Sequence, residues 1–177
     1  MSLRSREGGH RLERLKNIKY ENNITIQVSH ISAVTGSGYL LKIGFVGLGT
    51  MGAPMAINLL KAGFGLKVFD IEPGSDRVKR VVEHGAKLTE KPRDVAKGSE
   101  FILLSLPNAS ASEQAMLGEE GILQATSPGS VVIELSTVSP STVRKIANSA
   151  EPLGIDILDA PVSGGKSGAE SATLTIM

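Results

Sequence analysis

Lys42-Ile43-Gly44-Phe45-Val46-Gly47-Leu48-Gly49-Thr50-Met51-Gly52 is a short apolar run that breaks into three glycines spaced G-x-G-x-x-G and then enters a helical pattern. That order gives each glycine a separate task. Gly47 allows a tight turn, Gly49 lets the backbone approach a pyrophosphate, and Gly52 lets the following helix pack close to the strand. The exposed N–H groups at the helix start then face the phosphates and hydrogen-bond them. Dinucleotide binding is the leading reading of this stretch.

Outward from it, Asp70 falls at the end of the next apolar run, Leu66-Lys67-Val68-Phe69-Asp70. That is the expected place for an acid that accepts hydrogen bonds from the adenosine ribose hydroxyls. A carboxylate there repels a 2′-phosphate, which favours NAD over NADP. Arg77 and Lys79 lie close in sequence and keep NADP open as a second reading, and a plain turn aspartate is the structural alternative for Asp70.

From Lys42 onward, short apolar runs alternate with helical patterns. Strands are expected at Lys42–Val46, Leu66–Asp70, Ala86–Leu88, Phe101–Leu106, Val131–Leu135 and Ile155–Leu158. Helices are expected at Thr50–Ala62, Ser75–His84, Pro92–Lys97, Ser110–Leu117 and from Ser139-Pro140 to about Leu153. Pro54 is tolerated in the first turn of its helix, and Gly63 and Gly85 follow helix ends. The runs at Phe101 and Val131 are continuous enough to suit strands buried on both faces. The rhythm predicts a Rossmann-type, doubly wound α/β fold with a mostly parallel sheet, ligands binding beyond the strand C-termini.

Composition narrows the function classes. The chain has 177 residues, a formal net charge of +1, 41% apolar, 21% charged and 3% aromatic residues. Nothing in that balance calls for nucleic acid or an anionic membrane. The absence of cysteine excludes disulfides, thiolate catalysis and zinc–thiolate sites, and is compatible with a reducing cytoplasm. No apolar run approaches the roughly 20 residues of a membrane helix. Residues 1–40 differ from the rest: basic residues interleaved with Glu7, Glu13 and Glu21 lead into a polar, β-prone stretch and Thr35-Gly36-Ser37-Gly38. A disordered leader, an extension from an early start site and a basic interaction tail are the three readings of it. The two expected regions are thus a leader at 1–40 and a cofactor domain at 41–177.

With its neighbours, Gly47-Leu48-Gly49-Thr50-Met51-Gly52-Ala53-Pro54-Met55-Ala56 resembles the N-terminal signature of the β-hydroxyacid dehydrogenase family, which includes 3-hydroxyisobutyrate dehydrogenase, 2-hydroxy-3-oxopropionate reductase and, more distantly, 6-phosphogluconate dehydrogenase. Three later segments agree. Leu106-Pro107-Asn108 resembles the family's loop against the cofactor, Leu135-Ser136-Thr137-Val138-Ser139-Pro140 its loop near the nicotinamide, and Asp159-Ala160-Pro161-Val162-Ser163-Gly164-Gly165 its substrate-binding stretch. The resemblance implies cofactor contacts at Gly47, Leu48, Gly49, Thr50, Met51, Gly52, Asp70, Leu106, Pro107, Asn108 and Thr137. It implies substrate contacts at Ser136, Ser163, Gly164 and Gly165, with glycine backbone bringing N–H groups to a carboxylate. The residues alone also allow Ser136–Thr137 as a helix N-cap pair before Pro140, and Ser163–Gly165 as a flexible turn.

The implied reaction is hydride transfer between a nicotinamide and a small 3-hydroxy acid or its semialdehyde. The family's general acid/base is a lysine on a later helix, which places it beyond Met177 together with a helical second domain. Lys166 sits at the wrong position for that role and reads as a solvated surface lysine. Thr173–Met177 reads as the start of a strand, so the sequence is expected to be the cofactor half of a longer enzyme, inactive by itself and oligomeric, if at all, through the absent part. A catalytically silent nucleotide-binding or interaction module is the alternative. A flavin- or S-adenosylmethionine-binding domain fits the segment at Asp159–Gly165 poorly. His84 reads as a helix-end histidine, His10 and His30 lie in the leader, and no metal-ligand cluster stands out.

Overall fold

The computed structural model describes residues 41–177, so the leader expected at 1–40 lies outside the described residues. Strand β1 (Lys42–Val46) runs through the middle of the molecule, with all but its first residue buried. It pairs in parallel with β2 (Gly65–Phe69) on one side and with β4 (Phe101–Leu104) on the other. Adding β3 (Lys87–Leu88), β5 (Val131–Glu134) and β6 (Asp156–Asp159) gives a six-stranded parallel sheet in the order β3-β2-β1-β4-β5-β6. The chain therefore winds one way from β1 to β3 and the other way from β4 to β6. The crevice above the C-terminal ends of β1 and β4 is the switch point where ligands bind in such sheets.

Helices α1 (Gly52–Lys61) and α2 (Asp76–Glu83) cover one face. Helices α3 (Pro92–Ala96), α4 (Ala109–Leu117) and α5 (Pro140–Ala150) cover the other. Two cores result. Phe45, Leu48, Ala53, Ala56, Val68, Val78 and Val81 fill the first, and Val46, Ile102, Leu104, Met116, Ile122, Val132 and Ile146 the second. Phe45 and Val46 are adjacent and point into opposite cores, as the period-2 geometry of a strand requires. Beyond β6, a small antiparallel pair, β7 (Val162–Ser163) and β8 (Thr175–Ile176), encloses α6 (Gly165–Ser171). The Asn58 amide of α1 donates to the Ala169 carbonyl at 2.7 Å and fixes α6 to the first helix.

Element order agrees with the sequence reading through β6, with β7 and α6 as additions to it, and the boundaries move for identifiable reasons. Helix α1 begins at Gly52 rather than Thr50, because Thr50 and Met51 form the turn that carries the chain off β1. Helix α4 begins at Ala109 because Asn108 is its N-cap, its side-chain oxygen accepting the Ala111 N–H at 2.9 Å. Strand β4 stops at Leu104, two residues short of the apolar run. Strands β4 and β5 are not buried evenly: Ile102, Leu104 and Val132 are sealed in the second core, whereas Leu103 and Ile133 on the opposite face are only partly covered. In the strand expected at Thr173–Met177, Thr175–Ile176 pairs with β7.

The tightest contact in the fold is made by the third glycine. A Cβ on Gly52 would lie 1.9 Å from the Gly47 carbonyl oxygen, a backbone atom that cannot move aside. Gly52→Ala is therefore expected to lower the unfolding free energy by about 3 kcal/mol or more, as severe overpacking does. Gly74→Ala, where a Cβ meets nothing within 4 Å, is the matched control and should shift it by less than about 1 kcal/mol. Urea denaturation of the two variants beside the parent chain measures the difference.

Candidate nucleotide site

The three glycines answer to different demands. Gly47 has φ +90°, and a Cβ there would lie 2.3 Å from the Ser105 carbonyl oxygen. Its own N–H donates to the Phe69 carbonyl at 2.9 Å, so the turn is tied to β2. Gly52 is fixed by its contact with Gly47. Gly49 differs, because a Cβ on it would meet nothing within 4 Å. Protein packing requires the first and third glycines, and leaves the space beside the second open. Among the described residues the N–H groups of Gly49, Thr50 and Met51 have no hydrogen-bond acceptor, and Met51 has no side-chain cap. The loop thus presents free donors and an uncovered glycine at a helix N-terminus, the chemistry that suits a phosphate group.

Asp70 sits opposite. Its Oδ2 accepts the Leu48 N–H at 2.6 Å, and its Oδ1 accepts the Glu72 N–H at 2.8 Å. The carboxylate therefore locks the glycine loop to the tip of β2. Each oxygen keeps a further lone pair for an incoming hydroxyl. Between this wall and the loop after β4 lies a cleft of about 610 Å³, lined by Gly47, Gly49, Thr50, Met51 and Asp70 on one side and by Ser105, Leu106, Pro107, Ala111 and Gln114 on the other. Ile71, 86% exposed, stands at its rim. At the far rim Glu120 pairs with Lys91 and Arg93, both at 2.8 Å, and the Lys91 contact leads in holding the Glu120 carboxyl below the ordinary range.

Not every expected residue meets this cleft. The side chain of Leu48 is buried in the core, and its N–H is taken by Asp70. Gly52 is buried beneath the loop. Asn108 is exposed and spends its side-chain oxygen capping α4, and Thr137 is exposed on the loop after β5. Ser136 is buried, and its Oγ accepts the Leu106 N–H at 2.7 Å. The N-cap of α5 is Ser139, whose Oγ accepts the Thr142 N–H at 3.3 Å, which corrects the alternative that Ser136 and Thr137 cap that helix. Ser163, Gly164 and Gly165 lie apart from the cleft, at the junction of β7 and α6, with Gly164 at φ +133° and Gly165 at φ +62°. Lys166 stands 3.5 Å from Glu170 on the exposed face of α6. The His84 ring meets the Arg80 carbonyl at the end of α2. No acidic or histidine cluster among the described residues could hold a metal, and none of their helices is long and apolar enough to cross a membrane.

Sequence reasoning passed over Glu134. It closes β5, is 1% exposed, and its Oε1 accepts the Ser136 N–H at 3.0 Å. Burial pushes its carboxyl above the ordinary 4.5, against the lowering effect of the Ser136 and Ser112 groups beside it, while Asp159, its register partner on β6, adds a like charge. The available signal was a charged residue ending an otherwise apolar strand.

Comparison with known proteins gives this geometry a context. The family model described as the NAD binding domain of 6-phosphogluconate dehydrogenase matches residues 42–177. The chain is similar to 2-(hydroxymethyl)glutarate dehydrogenase of Eubacterium barkeri, 50% identical over 137 residues that make up 77% of this chain and 45% of the relative. It is similar to the NAD-dependent L-serine dehydrogenase of Pseudomonas aeruginosa, 44% identical over 77% of this chain and 45% of the relative. Among solved structures, 3-hydroxyisobutyrate dehydrogenase of Mycobacterium tuberculosis with L-serine superposes with a TM-score of 0.72 at 33% identity, over 78% of this chain and 46% of that one. The chain thus spans less than half the length of these relatives.

The raised carboxyl of Glu134 has a definite sign in stability. Below pH 4.5 the group is neutral whether the chain is folded or not, and the folded state keeps its full stability. Between 4.5 and the higher folded-state value the unfolded chain ionises first, so stability falls as pH rises and levels off above the folded value. Urea unfolding followed from pH 4.5 to neutrality should find Glu134→Gln gaining steadily on the parent chain. A difference that stays constant over that range would place the carboxylate in water.

Proposed function

This chain belongs to the family of the NAD binding domain of 6-phosphogluconate dehydrogenase, and we propose that its described residues form the cofactor half of a dehydrogenase acting on a small 3-hydroxy acid or its semialdehyde. The open space beside Gly49, faced by free N–H groups and by the Asp70 carboxylate, carries this reading. Gly49, Thr50 and Met51 hold the pyrophosphate at the start of α1. Asp70 accepts from the adenosine ribose hydroxyls while keeping its grip on Leu48. Leu106, Pro107 and Thr137, at the ends of β4 and β5, orient the nicotinamide half, because a dinucleotide lies across the two halves of such a sheet. When bound, the nicotinamide supplies the hydride donor or acceptor.

NAD is the preferred form. A 2′-phosphate near Asp70 would meet two carboxylates, those of Asp70 and Glu72. Of the nearby cations, Arg77 stands 3.4 Å from Glu72 and Lys79 3.2 Å from Asp76. The Pseudomonas aeruginosa relative, an NAD-dependent L-serine dehydrogenase, agrees. The substrate carboxylate is assigned to Ser136 and to the Ser163-Gly164-Gly165 backbone, whose positive-φ glycines can turn N–H groups toward an anion. No lysine or histidine lines the cleft among the described residues. Proton transfer, commonly worth about 10²–10⁴ in rate, is therefore assigned to a group outside them, and these 177 residues alone are expected to bind nucleotide with little turnover. That same lining is what a silent nucleotide-binding module would show.

Calorimetric titration of the 177-residue chain should give a dissociation constant for NAD at least about tenfold below that for NADP, the size of one lost charge-assisted contact. Asp70→Asn should weaken NAD by a similar factor and narrow the ratio. Equal affinity for the two nucleotides in the parent chain would remove the role given to Asp70. In a second experiment, Gly49→Ala should keep the parent's urea midpoint and lose NAD affinity about tenfold or more, since the added methyl occupies space that packing leaves empty. Undiminished NAD binding by that variant would refute the pyrophosphate assignment.

A further inference from the structure

The geometry points to Glu134 as a positioning residue for the nicotinamide half of the cleft, acting through Ser136 on the Leu106 backbone. It rests on the nucleotide reading above and deepens it. Backbone pairing between β4 and β5 ends where the Leu135 N–H donates to the Leu104 carbonyl at 2.9 Å. Past that point the two chains diverge into loops, and the cleft wall is built from the first of them, at Ser105, Leu106 and Pro107. Among the described residues one hydrogen bond joins the loops, from the Leu106 N–H to Ser136 Oγ at 2.7 Å. Ser136 is itself fixed by its own N–H, which donates to Glu134 Oε1 at 3.0 Å. The relay therefore runs from a buried carboxylate to a serine to the wall.

The choice of residue makes the case stronger. A valine or leucine would fill the end of β5 without the desolvation cost of a buried carboxyl. A glutamate is the feature that calls for explanation, and its side chain reaches what an apolar one cannot. The carboxyl sits at the junction of three elements that together form this wall. Below it is β5, above it the Ser136 loop, and beside it α4, which sets the Ser112 hydroxyl against it. Glu134 Oε2 and Ser112 Oγ are both buried without a hydrogen-bond partner among the described residues. Ala111 and Gln114, flanking Ser112 on α4, line the same cleft. Glu134 thus holds the Ser136 loop and, through it, the Leu106 loop, while Asp70, at the opposite end, holds the glycine loop.

This separates the two halves of the ligand. Loss of the Glu134 acceptor should loosen the wall over β4 and β5 and leave the Asp70 end intact. The test is calorimetric titration of the full chain with NADH and with ADP-ribose, which lacks the nicotinamide. Glu134→Leu should weaken NADH about tenfold and change ADP-ribose by less than about twofold. Glu134→Gln, which keeps an oxygen for the Ser136 N–H and offers an amide donor to Ser112, should restore NADH binding. Ser136→Ala removes the next link of the relay and should reproduce the split, and it carries the test if the leucine variant does not fold. Equal losses for both ligands would show a merely structural role and overturn the inference. So would NADH affinity unchanged in Glu134→Leu, or a glutamine variant as weak as the leucine one. Failure of the parent chain to bind either ligand would overturn the nucleotide reading itself, and this inference with it.

Discussion

The absence of a methyl group at residue 52 sets the rest of the structure. Because Gly52 carries no Cβ, the start of α1 can press against the Gly47 carbonyl, and the chain can leave β1 and enter the helix within a few residues. That closeness brings the helix N-terminus directly over the end of the central strand. Had the turn been wider, the free N–H groups of residues 49–51 would face solvent to one side of the sheet instead of the crevice between β1 and β4. The side chain of Leu48 then enters the core, and its N–H is delivered to Asp70. A steric fact at one position is thereby converted into an electrostatic one some distance away, a pocket with donors on one lip and a carboxylate on the other.

Asp70 and Glu134 show how the same residue chemistry serves two ends of one cleft. Both carboxyls accept a backbone N–H from a loop beyond a strand end, and both fix that loop in place. They differ in solvation. Asp70 is partly exposed at the mouth and keeps lone pairs available to a ligand. Glu134 is sealed beneath the loop, so its influence passes through Ser136. Exposure, more than identity, separates a group that can touch a ligand from one that can only arrange its surroundings.

Much of this was legible in the chain itself. Alternating apolar runs and helical patterns specify the parallel sheet because each element buries a face against the layer next to it, and the glycine spacing with Asp70 locates the switch point. What escaped depended on contacts distant in sequence. Helix α6, Gly165–Ser171, has no apolar periodicity to announce it. It is held in place by Asn58, more than a hundred residues earlier. Glu134 reads from sequence as the polar end of a strand, and nothing local announces that it is 1% exposed. Local pattern records what a residue prefers. Partners brought by the fold decide what it does.

The sheet is covered unequally. Around β1 both faces are sealed by helices, whereas on the α1 side Leu103 and Ile133 are only partly covered and Leu158, on the edge strand β6, is 46% exposed. Amide protons will accordingly exchange slowest along β1 and faster toward the edge strands β3 and β6, where local opening disrupts fewer apolar contacts. The end that carries Asp70 and the glycine turn rests on the most slowly exchanging part of the sheet. The glycine turn leaves directly from β1, so the cleft's phosphate lip is anchored to the strand farthest from solvent.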